Sequence, residues 1–457
     1  MTSHVSHPAG LAAELATEAL TAAHPESVLI DIATFTGGRA AETHLVRYRA
    51  ATQHPELMRR GVLRIARETG PTAGTGLTCD VQFRLLQHLR QHQIPVPTPL
   101  ASGRRHEAAY LMTEFLAGEV PSPWSTKGRS LLGSEPLRHT LPDALADLLS
   151  RIHRVELAGL GYLPGSVDDP AIAELERWMT LLNATPFAED PVIVWTEAVL
   201  RSSLGRSPKA TLVHGDFRLG NLVVKDMHVS GVLDWEMADI GDPWFDLALL
   251  CAPPVAADWD RCGLPPLSTV IDGYEARQGP IDRGHLSALT VLATLKVVAL
   301  WTNGSRSVDD IPTVSTARNA LSSWASRKYL LSALNIDQGR GKRDSARNAW
   351  QTEIQAELDA RRKDGTIESA RLPERLRQVP DPHPDFEQQL QSGIDSLCSD
   401  LGVVPTSQTS ASRRLTSLIR QLTSRSDETV VNDARTRRRV EELISIAGDP
   451  ELAVSPW

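Results

Sequence analysis

Three side chains set the chemistry that this 457-residue chain could do: Asp216, Asn221 and Asp234. They lie in Leu-Val-His214-Gly-Asp216-Phe-Arg218-Leu-Gly-Asn221, followed by Val232-Leu-Asp234-Trp-Glu236 and Gly241-Asp242-Pro-Trp-Phe-Asp246. One carboxylate stands five residues before an asparagine, and a second stands thirteen residues after it. Kinase-type phosphoryl transfer needs such a set. One Asp receives the acceptor's hydroxyl proton, while an Asn and another Asp hold Mg²⁺ on the nucleotide phosphates. Mg²⁺ is a hard cation that prefers oxygen ligands. Asn221 and Asp234 supply such oxygens, leaving Asp216 to orient the hydroxyl and take its proton.

These residues need a scaffold that brings them together. Thr211-Leu-Val and Gly231-Val-Leu read as short β runs. Asn221–Lys225 and Val229–Leu233 read as a hairpin with Asp226 and His228 near its turn. Asp216 then precedes one strand and Asp234 follows the next, so both carboxylates can share one cleft. A plain turn-rich hairpin with solvated acids explains the Asp-x₄-Asn spacing alone, but not the whole string.

At this point the chain resembles the aminoglycoside phosphotransferase family of the protein-kinase-like superfold. The His-Gly-Asp-Phe-Arg-x-Gly-Asn, Leu-Asp-Trp-Glu and Gly-Asp-Pro strings resemble the branch that includes phosphotransferase domains fused to acyl-CoA dehydrogenases. The resemblance runs over roughly 28–330 and implies an α+β, bilobal fold: a β-rich N-lobe, a mostly helical C-lobe and a helical extension. It implies Asp216 as catalytic base and Asn221 and Asp234 as metal ligands. His214, Asp242 and Asp246 become structural support, Asp246 by holding the catalytic-loop backbone. His153, in Leu149-Ser-Arg-Ile-His153, is read as buried and structural. Arg218 is either a phosphate-facing cation or an exposed structural arginine.

The first lobe departs from the pattern. Phe35-Thr-Gly37-Gly38-Arg39 resembles the family's glycine loop, whose backbone N–H groups approach phosphates because glycine carries no side chain. The first lysine of the chain is Lys127, so the usual phosphate-binding strand lysine is missing. Arg64, in Gly61-Val-Leu-Arg64-Ile, takes its place and is expected to contact phosphate, although its planar fork does not copy an ammonium. Gln82 stands where relatives carry Glu, so a Gln82–Arg64 hydrogen bond is expected in place of an ion pair. Glu114 and Leu116 resemble the hinge that meets the nucleotide base.

Composition bounds the rest. A net charge of −8 argues against broad nucleic-acid binding. Four scattered cysteines without a Cys-x-x-Cys pair fit a reducing cytoplasm. The amino-terminal stretch does not read as a secretory signal. The apolar run Ala288–Trp301, broken by Lys296, reads as too short to span a bilayer, so no membrane role is expected.

Four segments are expected: an N-terminal helical arm over 1–25, an N-lobe over 26–116, a C-lobe over 117–331 and a helical extension over 332–457. Helical patterns cover Ala346–Lys363, Phe386–Leu401, Ser412–Leu422 and Glu428–Ala447, with Leu415, Leu418, Ile419 and Leu422 at helical spacing. Arg437-Arg-Arg439 beside Glu441 and Glu442 reads as a solvated face with local ion pairs. The extension is assigned either to homodimerisation or to covering the acceptor cleft.

The leading expectation is a Mg²⁺-dependent small-molecule kinase using ATP, or GTP, on a hydroxylated acceptor. A hydroxyacyl-CoA is favoured over an aminoglycoside, with Arg129, Arg138, Arg151, Arg154 and Arg177 as candidate basic contacts. The alternative is a weak or inactive kinase-like scaffold that binds a partner through its C-terminal helices. A protein-directed kinase fits less well, because Trp235-Glu236 replaces Phe-Gly and no activation-loop pattern is recognisable.

Overall fold

The computed structural model describes residues 9–35, 41–49, 58–66, 72, 74–105, 107–123, 125–306, 329–335, 385–401, 411–424 and 433–447. Gly37, Gly38 and Arg39 lie outside these residues, as does the helix expected over Ala346–Lys363.

Contacts divide the chain into two compact units, Met1–Glu176 with Leu204–Ala293, and Arg177–Ser203 with Thr294–Trp457. The first unit opens with α1 (Ala9–Ala23) and a five-stranded antiparallel sheet, order β1-β2-β3-β5-β4. Its strands are β1 (Val28–Thr34), β2 (Ala41–Arg49), β3 (Met58–Ala66), β4 (Pro99–Arg105) and β5 (Ala108–Glu114). Strand β3 alternates from Gly61 to Ile65, burying Gly61, Leu63 and Ile65 while Val62 and Arg64 stay part-exposed on the other face. Helix α1 supplies the apolar cover: Leu15, Ala16, Ala19 and Leu20 pack with Val46, Leu63, Tyr110 and Met112. Each such leucine contributes about 1.5–3 kcal/mol of burial. Tyr110 donates its hydroxyl to Glu18 at 3.0 Å. The expected arm is therefore a wall of the sheet's own core.

Helix α2 (Cys79–Gln91) starts at Thr78, whose hydroxyl accepts from the Val81 N–H. Beyond β5 the chain passes Gly118, whose φ of +144° suits its close approach to Val223 and Val224. Helices α3 (Thr126–Leu132) and α4 (Glu135–Ile152) follow. After α5 (Pro170–Asn183) and α6 (Pro191–Ser203), two small sheets carry the motif residues. Strand β6 (Thr211–Val213) pairs with β9 (Asp239–Gly241), and β7 (Leu222–Lys225) pairs with β8 (His228–Val232). Asp226 and Met227 turn this hairpin with φ of 50° and 62°, the left-handed pair that a two-residue hairpin turn demands. Helices α7 (Trp244–Cys251), α8 (Pro253–Arg261) and α9 (Ser268–Gln278) follow, then α10 (Arg283–Arg306).

Helix α10 is longer than its apolar run suggested. Over Arg283–Asn303 it is long and apolar enough to cross a membrane, but 67 % of the apolar window is buried inside the protein, as in a core helix. Lys296 is buried there, its ammonium 5.2 Å from the Trp178 ring centre.

In the second unit, α12 (Ala411–Ser424) and α13 (Ala434–Ala447) pack against α6, and α11 (Asp385–Leu401) packs on α12 and α13. Leu415, Leu418, Ile419 and Leu422 are all buried. Thr416 donates to the Glu189 carbonyl and Arg420 to that of Ala188, both at 2.7 Å. Residues 177–203, expected within the second lobe, thus group with the C-terminal helices, because α6 is apolar on most of its surface. Arg437–Glu441 and Arg438–Glu442 pair one helical turn apart on α13.

Candidate active site

The loop after β6 is built around one buried carboxylate. Asp246, at the start of α7 and 0 % exposed, accepts the N–H of His214 through Oδ2 and the N–H of Gly215 through Oδ1, both at 2.8 Å. Gly215 has φ of +75°, a conformation costly for other residues, and this presents both amides to one carboxylate. His153 Nε2 reaches Asp246 Oδ2 at 3.2 Å, and its Nδ1 meets the Tyr274 hydroxyl at 2.8 Å. Burial pushes the Asp246 carboxyl up, but His153, His214 and the loop amides outweigh it and hold it below the usual carboxylate range.

Asp216 follows on the same loop, ahead of β7. The Asn221 amide donates to the Asp216 carbonyl at 2.8 Å and to its carboxylate Oδ2 at 2.7 Å. Arg218 lays its Nε across both carboxylate oxygens at 3.2 Å, with its side chain 43 % exposed. Arg218 is therefore a partner of Asp216. His214 joins this loop to the next. Its Nδ1 accepts the Asp216 N–H at 3.1 Å, so Nε2 carries the proton and donates to the Leu233 carbonyl at 2.9 Å. The Leu233 N–H in turn donates to the Asn221 carbonyl at 2.7 Å. Both backbone groups of Leu233 are thus pinned, and the next residue is Asp234.

Asp234 sits after β8 with φ of 65°, in the left-handed region that glycine, asparagine and aspartate enter far more readily than other residues. Arg64 meets it from β3. Nη1 donates to Asp234 Oδ1 and Nη2 to Glu236 Oε2, each at 2.8 Å. The expected Gln82–Arg64 bond does not form. Gln82 Nε2 donates to the Leu77 carbonyl at 2.8 Å, and the guanidinium goes to two acids, which outcompete a neutral amide for a cation. Arg64 therefore bridges two carboxylates. The two acids split in response. Burial and the adjoining Asp234 push the Glu236 carboxyl up, while for Asp234 burial is outweighed by Arg64 and Arg218, which hold it down.

The oxygens present suit a hard cation. The Asn221 nitrogen is committed to Asp216, which leaves its Oδ1 for another partner, and among the described residues Asp234 Oδ2 accepts from none. Among the described residues, no cluster of three or more His, Cys, Asp or Glu forms a separate metal site.

With this geometry in place, known proteins give the frame. The model of the phosphotransferase enzyme family matches residues 36–288, more than half of the chain. The chain belongs to that family. It is 32 % identical over 174 residues to acyl-CoA dehydrogenase family member 10 of Mus musculus, a match covering 37 % of this chain and 16 % of that protein. It is 28 % identical over 166 residues to an aminoglycoside 3'-phosphotransferase of Escherichia coli, covering 34 % of this chain and 57 % of that one. The chain thus spans a minor part of the mouse relative. A solved structure assigned as an aminoglycoside phosphotransferase of Ralstonia eutropha superposes with a TM-score of 0.52 at 18 % identity, covering 70 % of this chain and 96 % of that one. The fold is the bilobal, protein-kinase-like α+β fold.

The remaining residues singled out in the sequence are placed around this centre. Asp242 accepts the Trp244 N–H at the start of α7 at 2.9 Å and takes His285 Nε2 at 2.8 Å. In the hinge segment, the Glu114 N–H is committed to the Thr98 carbonyl at 2.8 Å. Among the described residues, no group takes the Leu116 N–H. Four of the candidate basic residues are engaged with backbone carbonyls: Arg129 with Pro123, Arg138 with Gly263, Arg151 with Gln93 and Arg154 with Arg277.

Two site residues went unread in the sequence. Glu236 was noted only as part of the string replacing Phe-Gly, and its spacing of two after Asp234 was the available signal. Tyr274 carried none, because its contact with His153 spans 121 positions.

Proposed function

We propose that this protein transfers the γ-phosphoryl group of a nucleoside triphosphate, ATP in the first instance, to a hydroxyl of a small molecule of the hydroxyacyl-CoA class. The observation that carries the reading is the linkage of Asp216, Asn221 and Asp234 through His214 and Leu233. A base, an amide oxygen and a carboxylate are held in one hydrogen-bonded frame, as phosphoryl transfer requires. Asn221 Oδ1 and Asp234 would hold Mg²⁺, which supplies charge neutralisation on the phosphates when bound.

Asp216 accepts the proton of the acceptor hydroxyl as its oxygen forms the new bond to the γ-phosphorus. The bond from that phosphorus to the β–γ bridging oxygen breaks, and the nucleoside diphosphate leaves with the electron pair. Arg218 steadies the Asp216 carboxylate during this transfer. The Leu116 N–H is the hinge donor for the nucleotide base.

The acyl-CoA preference is supported by the likeness to acyl-CoA dehydrogenase family member 10. CoA phosphates call for cations, and the four arginines tied to carbonyls keep donors to spare, since each guanidinium has five N–H groups. The C-terminal helices bury their apolar stripe within the chain, which favours a bracing role over homodimerisation.

Calorimetry with ATP and GTP, with and without Mg²⁺, tests the nucleotide half. Mg²⁺-dependent binding that Asp234→Ala abolishes is expected. A folded wild type that binds neither nucleotide would overturn the reading.

A further inference from the structure

Arg64 is anchored in an unexpected direction. A strand cation steadied by helix α2 was expected, yet the α2 side chain at the right place, Gln82, turns to the Leu77 carbonyl. The guanidinium is shared between Asp234 and Glu236, each bonded to a different terminal nitrogen at 2.8 Å. Because the nitrogens differ, one bond can break while the other holds.

The two acids are not equivalent. Asp234 is wanted by the cation that accompanies the nucleotide. Glu236 is only 8 % exposed and is held in place by its surroundings. Its backbone carbonyl accepts the Leu77 N–H at 2.7 Å, and its carboxylate accepts Arg64 Nη2 at 2.8 Å. Gln82 grips the other side of Leu77, so α2 reaches Glu236 through a backbone link: Gln82 to Leu77, Leu77 to Glu236, Glu236 to Arg64. A lysine at 64 would offer one compact ammonium, whereas the planar fork of arginine spans two carboxylates in fixed geometry.

We propose that Glu236 is the positioning residue for the strand cation, doing from the loop after Asp234 what a helix glutamate would do. In this account Arg64 keeps Nη2 on Glu236 and passes Nη1 from Asp234 to the nucleotide phosphates when nucleotide and cation arrive. The inference rests on the kinase reading above and adds to it the device that holds the phosphate-binding cation.

A double-mutant cycle tests it, with the affinity for Mg²⁺–ATP measured for the wild type, Arg64→Gln, Glu236→Gln and the double variant. Thermal unfolding without nucleotide checks that each is folded. Glu236→Gln is expected to weaken binding about tenfold, and to add almost nothing when Arg64 is already Gln, the signature of two residues acting as a unit. Glu236→Asp, which keeps the charge, should recover part of the loss. The inference is overturned if Glu236→Gln binds as tightly as the wild type. It is equally overturned if the double variant loses the product of the two single effects, which would mean that Glu236 acts without Arg64. A wild type that does not bind nucleotide would instead strike the kinase reading itself, and that result is distinct because failure of the inference alone leaves wild-type binding intact.

Discussion

Asn221 donates through one amide nitrogen to both the carbonyl and the carboxylate of Asp216, at 2.8 and 2.7 Å. A side chain expected to act through its oxygen is thus also the clamp on its neighbour. Asn221→Ala removes the clamp and a candidate metal oxygen together, and should lower turnover about a hundredfold, the usual scale for one preorganised polar group. Asn221→Asp restores an oxygen but sets two carboxylates side by side, so it should not recover activity. Steady-state kinetics on both variants checks this, and full activity in Asn221→Ala would contradict it.

Asp246 predicts an acid limb for stability. Its carboxyl lies below the ordinary range when folded, so its contribution is present above the unfolded pKa and is lost as pH falls through the carboxylate range into the folded value. Asp246→Ala should cost about 3–5 kcal/mol at neutral pH, because it strands the His153 ring and two loop amides. Asp246→Asn should flatten the fall of stability with acid. Urea denaturation across pH measures both, and an unchanged acid limb in Asp246→Asn would contradict the assignment.

Met227 holds the second place in the β7–β8 turn at φ of 62°. Left-handed backbone there costs a side chain about 1–2 kcal/mol, and glycine avoids that cost at some expense in entropy. Met227→Gly should therefore stabilise the protein by about 0.5–1 kcal/mol. A lower melting temperature for this variant would show that the Met227 side chain, which Ser134 meets at 3.4 Å, outweighs the backbone gain.

Helix α1 closes the core of the first sheet, where Leu15 is 0 % exposed. Leu15→Ala should cost about 2–5 kcal/mol by leaving a cavity. Denaturant unfolding reads it directly, and a change under half a kilocalorie would mean that α1 is peripheral.

Local pattern made the β7–β8 hairpin and the loop before it readable, because Asp216, Asn221 and Asp234 are set by spacing within one stretch of chain. The buried stripe from Leu415 to Leu422 was readable for the same reason, as helical period survives without knowledge of the partner. What stayed hidden was long-range. Arg64 and Glu236 are 172 positions apart, and no pattern in either segment names the other. Gln82 misled because a helix glutamine was matched to a strand arginine by analogy, when two carboxylates were closer in charge. The grouping of Arg177–Ser203 with the C-terminal helices was hidden likewise, since apolarity shows that α6 is covered but not by what.

The most direct test of the account is Mg²⁺-dependent transfer of labelled γ-phosphate from ATP to hydroxyacyl-CoA esters, comparing the wild type with Asp216→Asn. The wild type should transfer the label, and Asp216→Asn should do so about 10²–10⁴-fold more slowly with nucleotide affinity retained. Equal transfer by both proteins, or none by a folded wild type that binds nucleotide across a panel of such esters, would contradict it.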